Sequence, residues 1–330
     1  MGTLKQGAHQ AVVNCMKIKP EDKVVFVGDN HSKKIVLALS YESNKITKQE
    51  AKLFSLDDYG KRPLLKLPSE ILEAVKKSSA VFYTAQSYPG EMETIRMPII
   101  REATKHGRQA HMPNINEQLM KEGMCADYEE ISRISKKVYD CVKNARKIQV
   151  LTENGTDFTA ELSEKIKWMI SDGYIAKGEW KNLPSGEVFT CVKNLNGKMV
   201  VDGSIGDYFG SKYGLLEKTP VIITVNNSYI TELKCKNAEL EKELLKYIKQ
   251  DKNACRIGEF ALGTNIRLKK LVGNLLQDEK FPGVHVAIGH GYPEETGSKW
   301  DSKAHCDLVI KQTTVIADGK KIMEKGKYLI

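Results

Sequence analysis

Strand-like and helix-like segments alternate along the first 150 residues of the chain. The β-branched runs KVVFVGD (23–29) and SAVFYTA (79–85) have the pattern of short buried strands, and segments with helical apolar spacing follow them. Further segments of these two kinds are strands at 108–113 and 147–154 and helices at 92–107 and 128–145. Because strands that alternate with helices form parallel sheets, we predict an open, mostly parallel α/β domain over residues 1–150.

The pattern changes near residue 150. Beyond it, short strands rich in Val, Ile and Thr are separated by turns that contain Gly, Asn or Asp, as in GKMVVDG and PVIITVNNSYITELK. One amphipathic helix interrupts them at 238–250, with Leu240, Leu244, Leu245 and Ile248 on its apolar side. This spacing predicts a C-terminal α+β domain over residues 151–330 with a largely antiparallel, barrel-like sheet.

The composition is that of an ordinary globular chain. Its 330 residues include 41% hydrophobic and 28% charged residues, and the formal net charge is +9. Lysines alternate with acidic residues, as in EKELLKYIKQDK (241–252), which is typical of solvated helix surface and not of a nucleic-acid footprint. No apolar run approaches the roughly 20 residues of a membrane helix, and MGTLKQGAHQ lacks the apolar core of a signal peptide. We therefore expect a cytoplasmic protein that binds neither membrane nor nucleic acid.

The seven cysteines are widely scattered, and no C-x-x-C pair occurs. Neither a zinc ribbon nor a disulfide framework is indicated by such spacing. Free thiols are the simpler interpretation.

Metal-binding residue types collect near the C-terminus. Three of the seven histidines, His285, His290 and His305, fall within 21 residues, and Asp307 follows His305 at i+2. Residues two apart in a strand project from the same face, so His305 and Asp307 can reach one ion, and a neighbouring strand would present His285. Two imidazoles and one carboxylate suffice for a divalent transition metal. The alternative is an exposed strand whose polar face only resembles a row of ligands.

Two glutamates strengthen the metal hypothesis. Glu187 follows the Pro-Ser-Gly turn of NLPSGEVF (182–189), and Glu259 lies in the otherwise apolar strand of IGEFALGTN (257–265). Burial of a carboxylate is costly unless the group is paired or bound to a cation, so both side chains require a positive partner. The alternative for each is an edge strand that faces water.

These stretches form an ordered series of motifs: GTDF (155–158), NLPSGEVF, IGEFALGTN, LQDEKFPGVHVAIGHGY (276–292) and SKAHCDLV (302–309). In order, spacing and residue type the series resembles the M29 family of metalloaminopeptidases, the aminopeptidase T and leucyl aminopeptidase group. The resemblance covers about the last 175 residues, whereas the N-terminal half agrees mainly in architecture.

The resemblance implies a two-metal hydrolase that releases N-terminal residues from peptides with a free N-terminus. Its metal ligands fall on Glu187, Glu259, His285, His305 and Asp307. It also implies that Tyr292 and Glu259 are catalytic, that His290 lies outside the ligand set, and that the protein is a homodimer. Carboxylate and imidazole ligands accept Zn, Co, Mn or Mg, so the identity of the two ions stays open. Cys306, between two ligands on a strand, is expected on the opposite face.

Other interpretations remain at this stage. Lys280 is expected to pair with carboxylates near the site, and Glu279 is an alternative ligand or base. A mononuclear Fe(II) ring-cleaving dioxygenase of the 2,5-dihydroxypyridine dioxygenase type shares the fold of the family, and His285, His305 and Asp307 alone would satisfy its ligand set. A basic binding protein without catalysis is disfavoured because none of the five ligands is missing.

Overall fold

The computed structural model describes residues 2–330. Its contacts divide the chain into two compact units. The first contains the residues up to Glu130 together with Asp172–Ser185, and the second contains Ile131–Ser171 and Gly186–Ile330. Within residues 2–330, no helix is both long enough and apolar enough to cross a membrane.

Short strands dominate the secondary structure. The strands are β1 (Val24–Gly28), β2 (Lys52–Ser55), β3 (Ala80–Tyr83), β4 (Arg108–His111), β5 (Lys147–Leu151), β6 (Asp157–Glu161), β7 (Met169–Ser171), β8 (Trp180–Asn182), β9 (Glu187–Thr190), β10 (Asn194–Val201), β11 (Val221–Asn226), β12 (Tyr229–Cys235), β13 (Ile257–Gly263), β14 (Gly283–Gly289), β15 (His305–Ile310), β16 (Thr314–Ala317), β17 (Lys320–Glu324) and β18 (Lys327–Tyr328). The α-helices are α1 (Leu4–His9), α2 (Lys33–Asn44), α3 (Ser69–Lys76), α4 (Met97–His106), α5 (Glu117–Lys121), α6 (Tyr128–Val142), α7 (Asp207–Tyr213), α8 (Ala238–Tyr247), α9 (Leu275–Asp278) and α10 (Pro293–Thr296).

The first unit contains a five-stranded parallel sheet in the order β2-β1-β3-β4-β8. Strands β1 and β3 at its centre are buried along their whole length, as expected where a parallel sheet is covered on both faces. Helix α4 is preceded by a π-helical turn at Met92–Arg96 and ends before Gly107. The predicted parallel α/β domain is confirmed.

The second unit contains two antiparallel sheets. One has eight strands in the order β12-β11-β10-β6-β5-β16-β17-β18, and the other has five in the order β15-β14-β13-β9-β7. Side chains from both sheets belong to one hydrophobic core, which includes Val150 and Met199 from the larger sheet and Phe260, Val286 and Leu308 from the smaller one. This confirms the predicted antiparallel α+β architecture of the C-terminal half.

The predicted boundary at residue 150 lies inside the second unit. Helix α6 lies before that boundary, yet Val138 and Val142 on its apolar face belong to the core of the second unit. Strand β8 lies beyond the boundary, yet it pairs with β4 at the edge of the parallel sheet. Both differences arise from long-range packing, which a local hydrophobic pattern does not encode.

Candidate metal centre

The five predicted ligands lie in the smaller antiparallel sheet, and register explains why they share a face. Glu259 of β13 and Asp307 of β15 are both register partners of Ala287 in β14, so these three residues form one row across the sheet. His285 lies two residues before Ala287, and His305 lies two residues before Asp307, which puts both imidazoles on the same face as the row.

Small residues surround these side chains. Glu187 at the start of β9 is the register partner of Gly263 in β13, on the face that also carries Ala261. On β14, Gly289 continues this face beyond Ala287 and is the register partner of His305. Positions without large side chains leave space above the sheet, so the long carboxylate and imidazole groups can converge there.

The opposite face of the sheet is apolar. It packs in the hydrophobic core through Val188, Phe260, Leu262, Val284, Val286, Ile288, Cys306, Leu308 and Ile310. Cys306 therefore points away from the ligand face, as the alternation along β15 predicts. Its thiol is buried in the core and is not available to an ion at the site.

A β-bulge at Gly258 brings Glu259 to the ligand face. Ile257 pairs with Ile288 and packs in the core, and the register shifts by one residue before Glu259 pairs with Ala287. In an unbroken strand, Ile257 and Glu259 would share a face, and the carboxylate would enter the core. A Cβ atom at Gly258 would lie 2.3 Å from the carbonyl oxygen of Gly289, so only glycine fits the bulge.

Ligand atoms of the five side chains approach one another closely. Nε2 of His285 lies 3.5 Å from Oε2 of Glu187, 3.8 Å from Oε1 of Glu259 and 3.9 Å from Oδ1 of Asp307. Nε2 of His305 lies 3.4 Å from Oδ2 of Asp307 and 3.8 Å from Oε2 of Glu259. Such distances are long for hydrogen bonds but close to the roughly 3.3 Å between two ligand atoms of one tetrahedral ion.

These atoms define three groups able to hold an ion among residues 2–330. In each group, one ligand atom from every residue lies within 4.8 Å of the others. The groups are Glu187–Glu259–His285, Glu259–His305–Asp307 and Glu279–His285–Asp307. The structure thus brings together all five predicted ligands, and it adds the alternative ligand Glu279.

His305 is held from two sides. Its Nδ1 lies 3.3 Å from the carbonyl oxygen of His290, so a proton on Nδ1 would leave Nε2 free for an ion. The hydroxyl of Tyr247, at the end of α8, donates to the carbonyl oxygen of His305 at 2.9 Å and accepts from its N–H at 3.0 Å. Both backbone groups of an edge-strand residue are thereby satisfied.

Lys280 is buried beside the carboxylates of the site. Its side chain is 1% exposed, and its Nζ lies 2.6 Å from Oε1 of Glu187 and 2.6 Å from Oε1 of Glu279. The predicted pairing of Lys280 with carboxylates therefore involves two glutamates at once.

The crowded carboxylates shift the pKa values of the metal-free site. Burial lowers the pKa of His285, but Glu259 and the other carboxylates outweigh burial and raise it to about 9. Burial also opposes protonation of His305, whose pKa Asp307 nevertheless raises to about 10. Burial raises the pKa of Asp307, yet His305 lowers it to about 2. The carboxylates thus demand positive charge, which protons supply when no metal is bound.

The charges fit a divalent cation. Three of the predicted ligands are carboxylates, and Lys280 offsets one of their three negative charges. Protonated imidazoles offset the other two in the metal-free protein, and a divalent ion carries the same charge as the two protons it would displace. Nitrogen and oxygen donors of this kind suit Zn, Co or Mn.

Tyr292 lies beside the ligands in a strained conformation. Its backbone is left-handed, with φ of 52°, at the residue that precedes α10. Its hydroxyl lies 3.3 Å from Nε2 of His305, and its ring packs against Phe189 and His290. Burial, reinforced by the nearby carboxylates, holds the phenol pKa well above 10, so the group stays protonated.

Two further residues have roles beside the ligand groups. Nδ1 of His290 forms a hydrogen bond with Asp301, and its imidazole is in none of the three candidate groups. Tyr247 is absent from the sequence-based predictions, because nothing in the pattern of α8 indicates that its last residue contacts the first residue of β15. Only the fold brings these two segments together.

Family comparison identifies the class of protein. The family model described as thermophilic metalloprotease (M29) matches residues 116–328, which is more than half of the chain. The chain therefore belongs to the M29 metalloprotease family, a family of metal-dependent peptidases. Membership implies that the protein is a hydrolase and binds divalent metal, in agreement with the donor set on the sheet.

Two solved structures share the fold over almost their whole length. Wild-type AmpT from Thermus thermophilus is 18% identical with a TM-score of 0.73, and the match covers 99% of both chains. The 2,5-dihydroxypyridine dioxygenase from Pseudomonas putida KT2440 is 17% identical with a TM-score of 0.71, covering 99% of this chain and 96% of that one. At such identities the likeness shows the fold alone. Comparison with curated protein sequences gives no match.

Proposed function

We propose that the protein is an aminopeptidase that releases N-terminal residues from peptides with two divalent ions, Zn, Co, Mn or Mg. The observation that carries this proposal is the convergence of all five predicted ligands on one face of one sheet. Membership of the M29 family supports the hydrolytic reaction, and the likeness to AmpT is consistent with it.

Glu259 is assigned the central position in the ligand set. Its two oxygens each lie 3.8 Å from a different imidazole, Oε1 from His285 and Oε2 from His305. A carboxylate placed in this way belongs to two of the three candidate groups and would be shared between two ions. Burial raises the pKa of its carboxyl group in the metal-free protein, so a bound cation would stabilise the ionised form.

Peptide hydrolysis requires a nucleophilic water, a polarised carbonyl and stabilisation of the oxyanion. Bound divalent ions would supply the first two by acting as Lewis acids and lowering the pKa of a water molecule. Tyr292 supplies the third, because its protonated hydroxyl lies beside His305 at the edge of the ligand cluster. One well-placed donor of this kind contributes about 10²–10³ in rate.

Preference for a free N-terminus is assigned to the ions and to Glu279, a carboxylate of the site that is not one of the five predicted ligands. A substrate's free α-amino group would bind to one of the ions or, as an ammonium group, to Glu279. A blocked N-terminus offers no charge to these groups and adds bulk. Substrates with an acetylated N-terminus are therefore expected to be poor.

The mononuclear dioxygenase remains the alternative, favoured by one observation. His285, His305 and Asp307 form a two-histidine, one-carboxylate set, and one of the similar solved structures is a 2,5-dihydroxypyridine dioxygenase. Glu187 and Glu259 favour the hydrolase, because a single Fe(II) ion in such a set needs neither carboxylate.

The test is release of p-nitroaniline from leucine p-nitroanilide by metal-stripped protein supplied with Co²⁺, Zn²⁺, Mn²⁺ or Mg²⁺. We expect at least one ion to restore cleavage and the N-acetylated substrate to stay intact. Absence of cleavage with every ion, combined with Fe²⁺-dependent oxygen uptake on 2,5-dihydroxypyridine, would replace the aminopeptidase by the dioxygenase.

Matched variants locate the activity. Glu259→Gln and His305→Ala are expected to abolish cleavage with the fold retained. His106→Ala removes an exposed imidazole at the end of α4 and is expected to leave cleavage unchanged. Full activity and full metal content in either ligand variant would show that the ligand assignment is wrong.

A further inference from the structure

The buried ammonium group of Lys280 contacts two of the three candidate ion-binding groups and does not contact the remaining one. Its Nζ contacts Glu187, a member of one group, and Glu279, a member of another. Neither carboxylate belongs to the group Glu259–His305–Asp307. One oxygen of each of these two glutamates is thus already paired with the lysine ammonium group. The carboxylate oxygens of Glu259 and Asp307 make no such contact with Lys280.

Lys280 cannot move away easily. The turn that carries it connects α9 to β14, and its backbone carbonyl accepts a hydrogen bond from the N–H of Asn265 at 3.0 Å. Gly263 lies against the same turn so closely that a Cβ atom there would be 2.0 Å from the carbonyl oxygen of Phe281. A side chain that is 1% exposed and fixed at its base has no route to solvent without rearrangement of this turn.

Charge argues in the same direction. Glu187, Glu259, Asp307 and Glu279 carry four negative charges when all are ionised, and the lysine offsets one of them. The first divalent ion therefore meets three net negative charges, whereas a second meets only one. Excess charge of either sign is costly there, because the surroundings are poorly solvated.

We propose that Lys280 makes the centre asymmetric: one divalent ion binds tightly at Glu259, His305 and Asp307, and a second binds weakly at Glu187, Glu259 and His285. The second ion has to share Glu187 with the ammonium group. Repulsion between the ion and the ammonium group weakens binding of that ion. The inference rests on the proposed function only in taking these residues as metal ligands. With such unequal affinities, the concentration of free metal decides whether the enzyme carries one ion or two.

The test measures metal content and needs no substrate. Metal-stripped protein is titrated with Co²⁺ while the visible absorption of the bound ion is followed, and ions retained after dialysis are counted by mass spectrometry. We expect the wild-type chain to retain one ion and to bind a second on the order of 10- to 100-fold more weakly, the effect typical of groups that contact metal ligands.

Substitutions at Lys280 separate charge from packing. Lys280→Met removes the charge at similar length and is expected to strengthen the second ion by at least tenfold, so that two ions are retained. Lys280→Arg keeps the charge and is expected to retain one ion. If the methionine variant does not fold, as judged by circular dichroism, Lys280→Gln provides the neutral, hydrogen-bonding replacement.

The outcomes distinguish this inference from the proposed function. Two ions retained with equal affinity by the wild-type chain, or one ion retained by the neutral variants, would overturn the role of Lys280 and leave the aminopeptidase proposal standing. A wild-type chain that binds no Co²⁺ at all would overturn both.

Discussion

His305 lies at the first position of an edge strand, where a side chain is easily misplaced. The carbonyl of His290 faces its Nδ1, and the hydroxyl of Tyr247 bonds to both its backbone groups. Strand β15 carries two of the proposed ligands, His305 and Asp307, so the residues that hold its start also align Asp307. The position of the His305 imidazole is therefore set by His290 and Tyr247, neither of which is a proposed ligand.

Replacement of Tyr247 tests this positioning. Tyr247→Phe removes two hydrogen bonds, each worth about 1 kcal/mol, and keeps the ring that packs against Phe209. We expect metal affinity to fall by roughly tenfold, as for other groups that orient ligands, with the circular dichroism spectrum unchanged. Tyr208→Phe, at an exposed position of α7, is the control and should not alter affinity. Equal affinities in the two variants would remove Tyr247 from the positioning of His305.

A different role is proposed for Tyr292, whose hydroxyl lies 3.3 Å from Nε2 of His305. Tyr292→Phe is expected to lower kcat by about 10²–10³ with little change in KM or in metal content, since the lost hydrogen bond forms mainly in the transition state. Steady-state kinetics on leucine p-nitroanilide measure both constants. An unchanged kcat would exclude the phenol from the mechanism.

At the scale of elements, the bulge in β13 decides which face Glu259 occupies. Gly258→Ala would place a Cβ atom 2.3 Å from the carbonyl oxygen of Gly289 and 2.5 Å from that of His290. We expect the free energy of unfolding to fall by about 1–3 kcal/mol, a typical cost of overpacking, and the bound ion to be lost.

A second glycine-to-alanine change gives the control for the bulge. A Cβ atom at Gly210, within α7, would meet its nearest neighbour at 3.6 Å, which is ordinary contact. Gly210→Ala is expected to retain metal and to match or slightly exceed the wild-type stability. Metal retention by both variants, measured after dialysis, would show that the bulge does not position Glu259.

The bulge also marks where prediction from sequence ends. Burial cost alone indicates that Glu259 in an apolar strand needs a cation, and the i, i+2 spacing correctly places His305 and Asp307 on one face. The same alternation would put Ile257 and Glu259 together, which the structure contradicts. Local patterns predict faces within an unbroken strand, whereas a bulge depends on contacts between strands.

At the scale of the whole molecule, contacts between segments far apart in sequence also limit what the sequence pattern predicts. The alternating strands and helices of the first half predict its parallel sheet, but they do not predict that Trp180–Asn182 returns to complete that sheet as β8. The helical pattern of α8 likewise contains no sign that Tyr247 reaches β15. In both cases the partner lies far away in sequence.

The stability of the first unit is expected to depend on pH through His111. Burial, together with the charge of Arg96, lowers the pKa of His111 well below 6.5, and Nε of Arg96 donates to its Nε2 at 3.0 Å. Below pH 6.5 the unfolded chain binds a proton that the folded chain does not, so stability decreases as the pH falls. His111 thereby changes the free energy of unfolding by about 1.4 kcal/mol per pH unit until the pH reaches the pKa of His111 in the folded chain.

Urea unfolding between pH 5 and pH 8 measures this slope. Fluorescence reports on the region, because the ring of Trp180 lies 5.4 Å from the imidazole of His111. His111→Gln is expected to unfold more easily at pH 8 but with a shallower decrease toward pH 5. Parallel pH profiles for the two proteins would assign the acid sensitivity to other groups.

The most direct test of the central claim is anomalous X-ray diffraction from crystals of the protein grown with Zn²⁺. We expect an anomalous peak on the ligand face of the smaller sheet, about 2.0–2.2 Å from Glu259, His305 and Asp307. A peak elsewhere, with these side chains free of metal, would contradict the assignment of the centre.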